Sequence, residues 1–368
     1  MASSRLYTKV DEKCWSIIYS PQYDMKICGL EKIHPADSCK YQHIFEHLKK
    51  AGMLTDKNHA VPLEANEEEL LLAHGKSYLN SLKHLKKAGM LTDENHAVPL
   101  EANEEELLLV WSYNVMAILE APFILLIPNY FIQRFVLSKF RYHVGGTVLA
   151  GKLAMERGWA INIGGGLHHC SGNSGGGLCP YADITLCVYM VQKNFSQVKK
   201  VMIIDLDAHQ GNGHERDFMD DKSIYIFDMF NSSIYPGDRE AMKGITLPEK
   251  LSSGTDDSTF LNLLERNLEK AFKEFSPDFI LYNAGTDIMA GDPTGLMEIS
   301  DKGVIKRDEL VFREAYSRRI PIVMVTSGGF QRRAAAVIGD SILNLRDKEL
   351  ITIEPWPEFT HSKDGNES

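Results

Sequence analysis

The sequence predicts an α/β fold, a single domain in which a mostly parallel sheet is flanked by helices. Three observations predict it. Four apolar runs have the pattern of buried strands: Ile161-Asn162-Ile163, Val201-Met202-Ile203-Ile204, Phe279-Ile280-Leu281-Tyr282 and Ile322-Val323-Met324-Val325. Each ends in a turn of small or chemically active residues, and open parallel sheets build their sites at the carboxyl ends of strands. No Ser/Gly or Pro linker divides the 368 residues, and α/β sheets of this length often form one domain.

In chain order, the first element signal is Asn66 followed by Glu69 ahead of Leu70-Leu71-Leu72, which reads as a helix cap. It lies inside a duplication. His47 through Leu72 recurs as His84 through Leu109, identical except that Lys57 becomes Glu94. A solenoid would stack at least about three diverged units, so one near-perfect copy reads as a recent duplication or a gene-model artefact. The first copy continues into Ala73-His74-Gly75-Lys76-Ser77-Tyr78-Leu79, whereas the second runs abruptly into Trp111. Residues 84–110 are therefore expected to be an insertion, its cap repeated at Asn103 and Glu106, and two copies of one amphipathic helix are expected to compete for one slot. The apolar run from Val115 to Ile132 carries Glu120, Pro122, Pro128 and Asn129, too interrupted for a membrane span.

The strand ends come next. After Ile161-Asn162-Ile163, glycines 164–166 let backbone approach closely and lead to the adjacent imidazoles of His168 and His169. Crowding two imidazoles is chemically costly, which suggests use. After Val201–Ile204, residues at i and i+2 of an extended segment point to one side. Asp207 and His209 can then grip one ion while Asp205 supports them from the same face, and zinc accepts such a mixture of oxygen and nitrogen. Asp287, after the third run, completes an Asp/His/Asp set, and Ser327-Gly328-Gly329-Phe330 closes the fourth. An Asp/Gly-rich turn or a structural His pair would explain any one of these ends alone. Four ends with complementary chemistry point to a site.

These residues resemble the zinc-dependent histone deacetylases of the arginase/deacetylase fold, most closely their class IV, histone-deacetylase-eleven type. The resemblance covers residues 14–345, through Trp15-Ser16-Ile17-Ile18-Tyr19-Ser20-Pro21, Gly29-Leu30-Glu31-Lys32-Ile33-His34-Pro35, Gly145-Gly146-Thr147, the stretch from Glu156 to Asn162, the stretch from Asp207 to Met219, and Ser341-Ile342-Leu343-Asn344-Leu345. It implies Asp207, His209 and Asp287 as ligands of one zinc, His169 as general base and His168 as its partner. Asp205 and Asn212 fall where second partners would orient the two histidines. Asn212 stands where several deacetylases carry aspartate, and a neutral partner should leave His169 less basic. The backbone around Asp205 and His209 is expected to hold a monovalent cation, potassium. Arginase-type relatives suggest two metals, but the positions that would supply further carboxylates are Gly211 and Met289, so one ion is expected.

The resemblance also exposes departures. Relatives carry tyrosine where this chain has Phe330, and its hydroxyl donates to the oxyanion; losing one such donor costs about 100- to 1,000-fold in turnover. Gly177 and Leu178 would line one wall of an acyl-lysine tunnel, Leu178 replacing a usual phenylalanine, with Tyr235 as the opposite wall. The implied activity is hydrolysis of the acyl amide on lysine side chains of histones or other proteins, slowed by Phe330. The alternatives are a catalytically silent deacetylase fold that binds zinc and acyl-lysine or partner proteins, and an amidohydrolase of small acylated amines.

Composition sets outer bounds. A net charge of -10 argues against direct nucleic-acid binding and suits basic-tail substrates. Six cysteines without a paired metal spacing suggest reduced thiols, and Cys170 and Cys179 are expected to be packing residues. The N-terminus lacks a basic-then-apolar signal. The resemblance, rather than composition, implies a chromatin regulator of nucleus and cytoplasm with co-regulator proteins as partners. The polar stretch 346–368 is expected to be a disordered tail.

Overall fold

The computed structural model describes residues 4–24, 37–83 and 133–359. Its strands are β1 (Ile17–Ile18), β2 (Trp159–Asn162), β3 (Val201–Asp205), β4 (Ile224–Asn231), β5 (Leu247–Leu251), β6 (Phe279–Asn283) and β7 (Ile322–Val325). They form one sheet in the order β1-β2-β7-β6-β3-β4-β5, with every pairing parallel. The four runs singled out in the sequence are the four adjacent central strands β2, β7, β6 and β3.

Side-chain alternation explains why those runs are apolar throughout. Met202 and Ile204 of β3, Ile280 and Tyr282 of β6, and Ile322 and Met324 of β7 enter one core. Their alternates Val201, Ile203, Phe279, Leu281, Val323 and Val325 enter another on the opposite face. A strand buried on both faces has no polar side to show. Helices α1 (Lys40–Lys50), α7 (Asp257–Glu274), α8 (Asp301–Arg318) and α9 (Ala334–Asp347) cover the first face. Helices α4 (Ser138–Arg157) and α5 (Asp183–Asn194) cover the second. The short helices α2 (Glu67–Leu70), α3 (Lys76–Lys83) and α6 (Asn212–Phe218) lie between these elements in the chain.

The cap read at Asn66 is present: its side chain accepts from Glu69 N–H, and the Glu69 carboxylate accepts from Asn66 N–H. The rest of the first repeat copy is not the amphipathic helix expected from the sequence. It comprises the last turn of α1, an extended stretch that bridges Ala60 to Ile18, and α2. Leu48, Met53, Leu54, Ala60, Ala65 and Leu70 are buried, so this copy belongs to the body. Residues 84–110, and with them Asn103 and Glu106, lie outside the described residues, as do Gly29–Pro35.

The expected tail is corrected. Residues 346–359 are ordered, and Leu350, Ile351 and Trp356 join the first core. Trp356 is 1% exposed, its backbone N–H donates to Arg157 O at 3.0 Å and its indole N–H to Leu350 O at 3.2 Å. One tryptophan and two aliphatics anchor the stretch while Asp347, Lys348, Glu349 and Glu354 stay exposed, and average polarity hides so few anchors. The body also starts ahead of residue 14, since Leu6 is fully buried.

Candidate active site

The sheet order sets four strand ends side by side, and each delivers part of one cluster. Strand β3 stops at Asp205, so Asp207 and His209 are not on an extended segment as the sequence suggested. Short polar turns group them instead. Asp207 N–H donates to Asp205 Oδ1 at 3.2 Å, His209 N–H to Asp207 Oδ1 at 3.0 Å, and Ala208 N–H to Asp287 Oδ1 at 2.8 Å. The ligand atoms of Asp207, His209 and Asp287 come within 4.8 Å of one another. His209 Nδ1 stands 3.1 Å from Asp207 Oδ1 and 2.9 Å from Asp287 Oδ2. The turn after β7 approaches from the far side: Ser327 hydroxyl and Gly328 N–H donate to Asp207 Oδ2 at 3.0 and 3.1 Å. A Cβ at Gly328 would stand 2.6 Å from Asp287 Oδ2, so only glycine fits there.

Electrostatics test whether this set suits a divalent ion. Burial and then the Asp207 charge push Asp287 up to about 7, while Asp207 is held well below the carboxylate range by its histidine neighbours despite burial. Two carboxylates here cannot both ionise comfortably with one imidazole between them. A divalent cation removes that conflict, and the oxygen and nitrogen donors fit zinc. Met289, at the position where a second ion would need a carboxylate, is fully buried.

The two imidazoles beyond β2 are driven to opposite states. Burial opposes a charge on His168, but Asp205 and Asp207 outweigh it and raise its pKa to about 9. His168 Nδ1 donates to Asp205 Oδ2 at 2.9 Å. Burial, then the charges of His168 and His209, hold His169 well below its ordinary value. Its Nδ1 meets Asn212 Oδ1 at 2.8 Å, and Asn212 is oriented by donating its amide to Asp238 Oδ2 at 3.3 Å. That contact fixes the neutral His169 with its proton on Nδ1 and a lone pair on Nε2. The rings of His169 and His209 are 5.8 Å apart.

Gly177 and Tyr235 both border His169. A Cβ at Gly177 would stand 2.2 Å from His169 Cδ2, and the Tyr235 ring meets His169 edge-on at 5.0 Å. Gly177 and Leu178 occupy a tight turn closed by Cys179 N–H to Gly176 O at 2.7 Å, with φ of 46° and 70°. Leu178 is thus a half-buried side chain held in left-handed backbone, strain of a kind that gathers at functional sites. Phe330 is half-buried, its carbonyl accepting from Asp37 N–H at 2.7 Å.

The chain matches the family description "Histone deacetylase domain" over residues 34–345. It belongs to the histone deacetylase family. It is 45% identical to Histone deacetylase 2 of Arabidopsis thaliana over 353 residues, which cover 96% of this chain and 84% of that protein. Histone deacetylase 6 of the same plant matches at 31% identity over 48% of this chain and 38% of its own length. Among solved structures, the HDA15 HD domain matches with a TM-score of 0.64 at 16% identity, covering 91% of this chain and 88% of that one, a likeness of fold. The arginase/deacetylase-like fold expected from the sequence is therefore that of the deacetylase family.

Three residues in and around this deacetylase site escaped the sequence reading. Lys40, fully buried at the start of α1, donates to Ser327 O at 2.9 Å and Gly328 O at 2.8 Å, with its Nζ 4.9 Å from the Phe330 ring centroid. Arg307 of α8 holds Leu206 O at 3.3 Å, Ala284 O at 3.3 Å and Gly285 O, tying the turns after β3 and β6 together. His214 of α6 donates to Asp205 Oδ2 at 2.8 Å. A basic residue opening or lining a helix gives no sign of the backbone it will meet across the sheet. The one available signal was Asp205 itself, a buried carboxylate that requires several donors.

Proposed function

We propose that this histone deacetylase family member is a zinc-dependent lysine deacylase of class IV type. It would hydrolyse the acyl amide on lysine side chains of histones or other proteins. The observation that carries the reading is the split between two adjacent imidazoles, one charged and one neutral, beside a buried Asp/His/Asp set. Pairs of titratable groups pushed apart by their surroundings mark acid and base roles.

Asp207, His209 and Asp287 would hold one zinc, which when bound supplies a Lewis acid for the amide carbonyl and lowers the pKa of a water. His169 Nε2, bare and facing that cluster, takes the proton from the attacking water. The protonated His169 then returns it to the lysine nitrogen as the C–N bond breaks, leaving carboxylate and amine. His168, kept cationic by Asp205, stays a fixed positive charge near the developing oxyanion. Gly177 leaves room over the His169 ring, and Tyr235 borders it from the open side. Phe330 offers the oxyanion no hydroxyl, so turnover is slow. Leu178, smaller than the phenylalanine it stands for, suits longer acyl chains.

Phe330 is also the observation that favours a second reading, a silent fold that binds zinc and acyl-lysine without turnover. Turnover of acetyl- and myristoyl-lysine peptides by the zinc-loaded protein separates the two, with His169→Ala as control. The deacylase reading expects measurable hydrolysis, lost in His169→Ala while zinc is retained. Peptide binding with no product in wild type would establish the silent reading instead.

A further inference from the structure

The Asp205 carboxylate is not free to join the backbone around it in holding the expected monovalent cation. An ionised carboxylate offers about four lone-pair positions. Here all are taken by N–H donors: Asp207 N–H at 3.2 Å and Asn283 Nδ2 at 2.9 Å on Oδ1, His168 Nδ1 at 2.9 Å and His214 Nε2 at 2.8 Å on Oδ2. Both histidine nitrogens must carry hydrogen, because the carboxylate can only accept. Register explains the crowding. Asp205 pairs with Asp228 on β4 and with Asn283 on β6, which sets three polar side chains in one buried row across the sheet. His214, 1% exposed, reaches this row from α6.

The row carries its own charge balance. Burial, then the charges of Asp205 and Glu215, keep Asp228 well above the carboxylate range, so it holds a proton, while Asp228 Oδ1 and Glu215 Oε1 make no hydrogen bond among the described residues. Glu215 is itself anchored by Gln210 Nε2 at 2.6 Å. Asp228 Oδ2 accepts from Gly211 N–H at 3.0 Å, which locks the turn that follows His209.

We propose that the His214 imidazole takes the place of a monovalent cation on Asp205, so that this chain binds none there and owes the pose of His168 to protein donors alone. The inference concerns the support behind the site and stands whether or not the protein turns over acyl-lysine.

The full-length protein is exchanged into potassium, sodium or tetramethylammonium chloride at equal ionic strength. Its thermal midpoint is then measured, and its rubidium content is taken by mass spectrometry after gel filtration from rubidium chloride. The expected result is one midpoint in all three salts and no stoichiometric rubidium. His214→Val removes the donor, and potassium should then raise its midpoint by about 5 °C or more over tetramethylammonium, as a specific ligand does. His214→Gln, which can still donate an N–H, should remain indifferent to the salt. Stoichiometric rubidium in wild type, or a wild-type midpoint that climbs in potassium, would overturn the proposal. If His214→Val does not fold, the wild-type rubidium content decides alone.

Discussion

Phe330 and Asp287 show how single residues set the chemistry. The Phe330 ring is placed by its neighbours, its carbonyl pinned by Asp37 and its face 4.9 Å from the Lys40 ammonium, so adding a hydroxyl changes one atom in an already ordered loop. Phe330→Tyr is therefore expected to raise kcat about 100-fold with little change in KM, because an oxyanion donor acts on the transition state. A gain of only a few-fold in steady-state assays would mean that another group fills the role. Asp287 carries a second expectation. Its pKa is pushed up to about 7, and the flanking carboxylates hold His209 well above its ordinary value against the opposing effect of burial. Metal ligands bind deprotonated. Below pH 7 both groups hold protons and zinc uptake should release about two; above pH 7 only His209 does, and release should fall to about one. Zinc affinity thus weakens as pH falls. Calorimetry in buffers of different ionisation heat measures the count, and a value near zero at both pH values would rule out this picture of the cluster.

At the level of elements, the helix ends hold the turns of the candidate site. The first residue of α1 is Lys40, and its ammonium satisfies carbonyls of the turn after β7. Lys40→Met leaves those carbonyls without a charged donor, which costs on the order of 2 kcal/mol. Burial already lowers the Lys40 pKa to about 8, so part of that loss is regained by removing a costly charge. Denaturant titration should show the smaller net loss, and kcat should fall further than stability alone explains, because Phe330 rides on the loosened turn. The capping box of α2 gives a sharper comparison between the repeat copies. Asn66→Ala is expected to cost about 1 kcal/mol and Asn103→Ala almost nothing, provided only the first copy belongs to the body. Equal losses in thermal melts would mean both caps are used. What the sequence shows and hides divides along the same line. Strands β2, β3, β6 and β7 were legible because burial on both faces writes an unbroken apolar run. Strand β5, Leu-Pro-Glu-Lys-Leu, was not: it is an edge strand with only its end residues buried, and edges tolerate Pro248. The Asp/His/Asp set was legible from its place after β3 and β6, although a turn rather than strand alternation brings Asp207 and His209 together. His214, Lys40 and Arg307 were invisible because helices carry them to the site from the sides.

For the whole molecule, the extra copy and the order of the strands matter most. Gln133 Nε2 donates to Leu82 O at 2.9 Å, so the described segment that ends at Lys83 and the one that begins at Gln133 meet at the same helix. Shortening the stretch between those points demands little of the body, since loop length changes closure entropy by only about 0.6 kcal/mol per doubling. Deleting residues 84–110 is expected to leave zinc content unchanged, raise the thermal midpoint and reduce aggregation; a deletion that unfolds the protein or strips its zinc would make the second copy part of the core. The strand order has a consequence for synthesis. The last strand to leave the ribosome, β7, belongs between β2 and β6, so a nascent chain shorter than Val325 carries a slot down the middle of its sheet with two unpaired borders. Such borders recruit foreign strands. Stalled chains ending before Ile322 should bind holdase chaperones and lack zinc even though every ligand has been made, and chains that extend past Trp356 should shed the chaperone and gain the metal together.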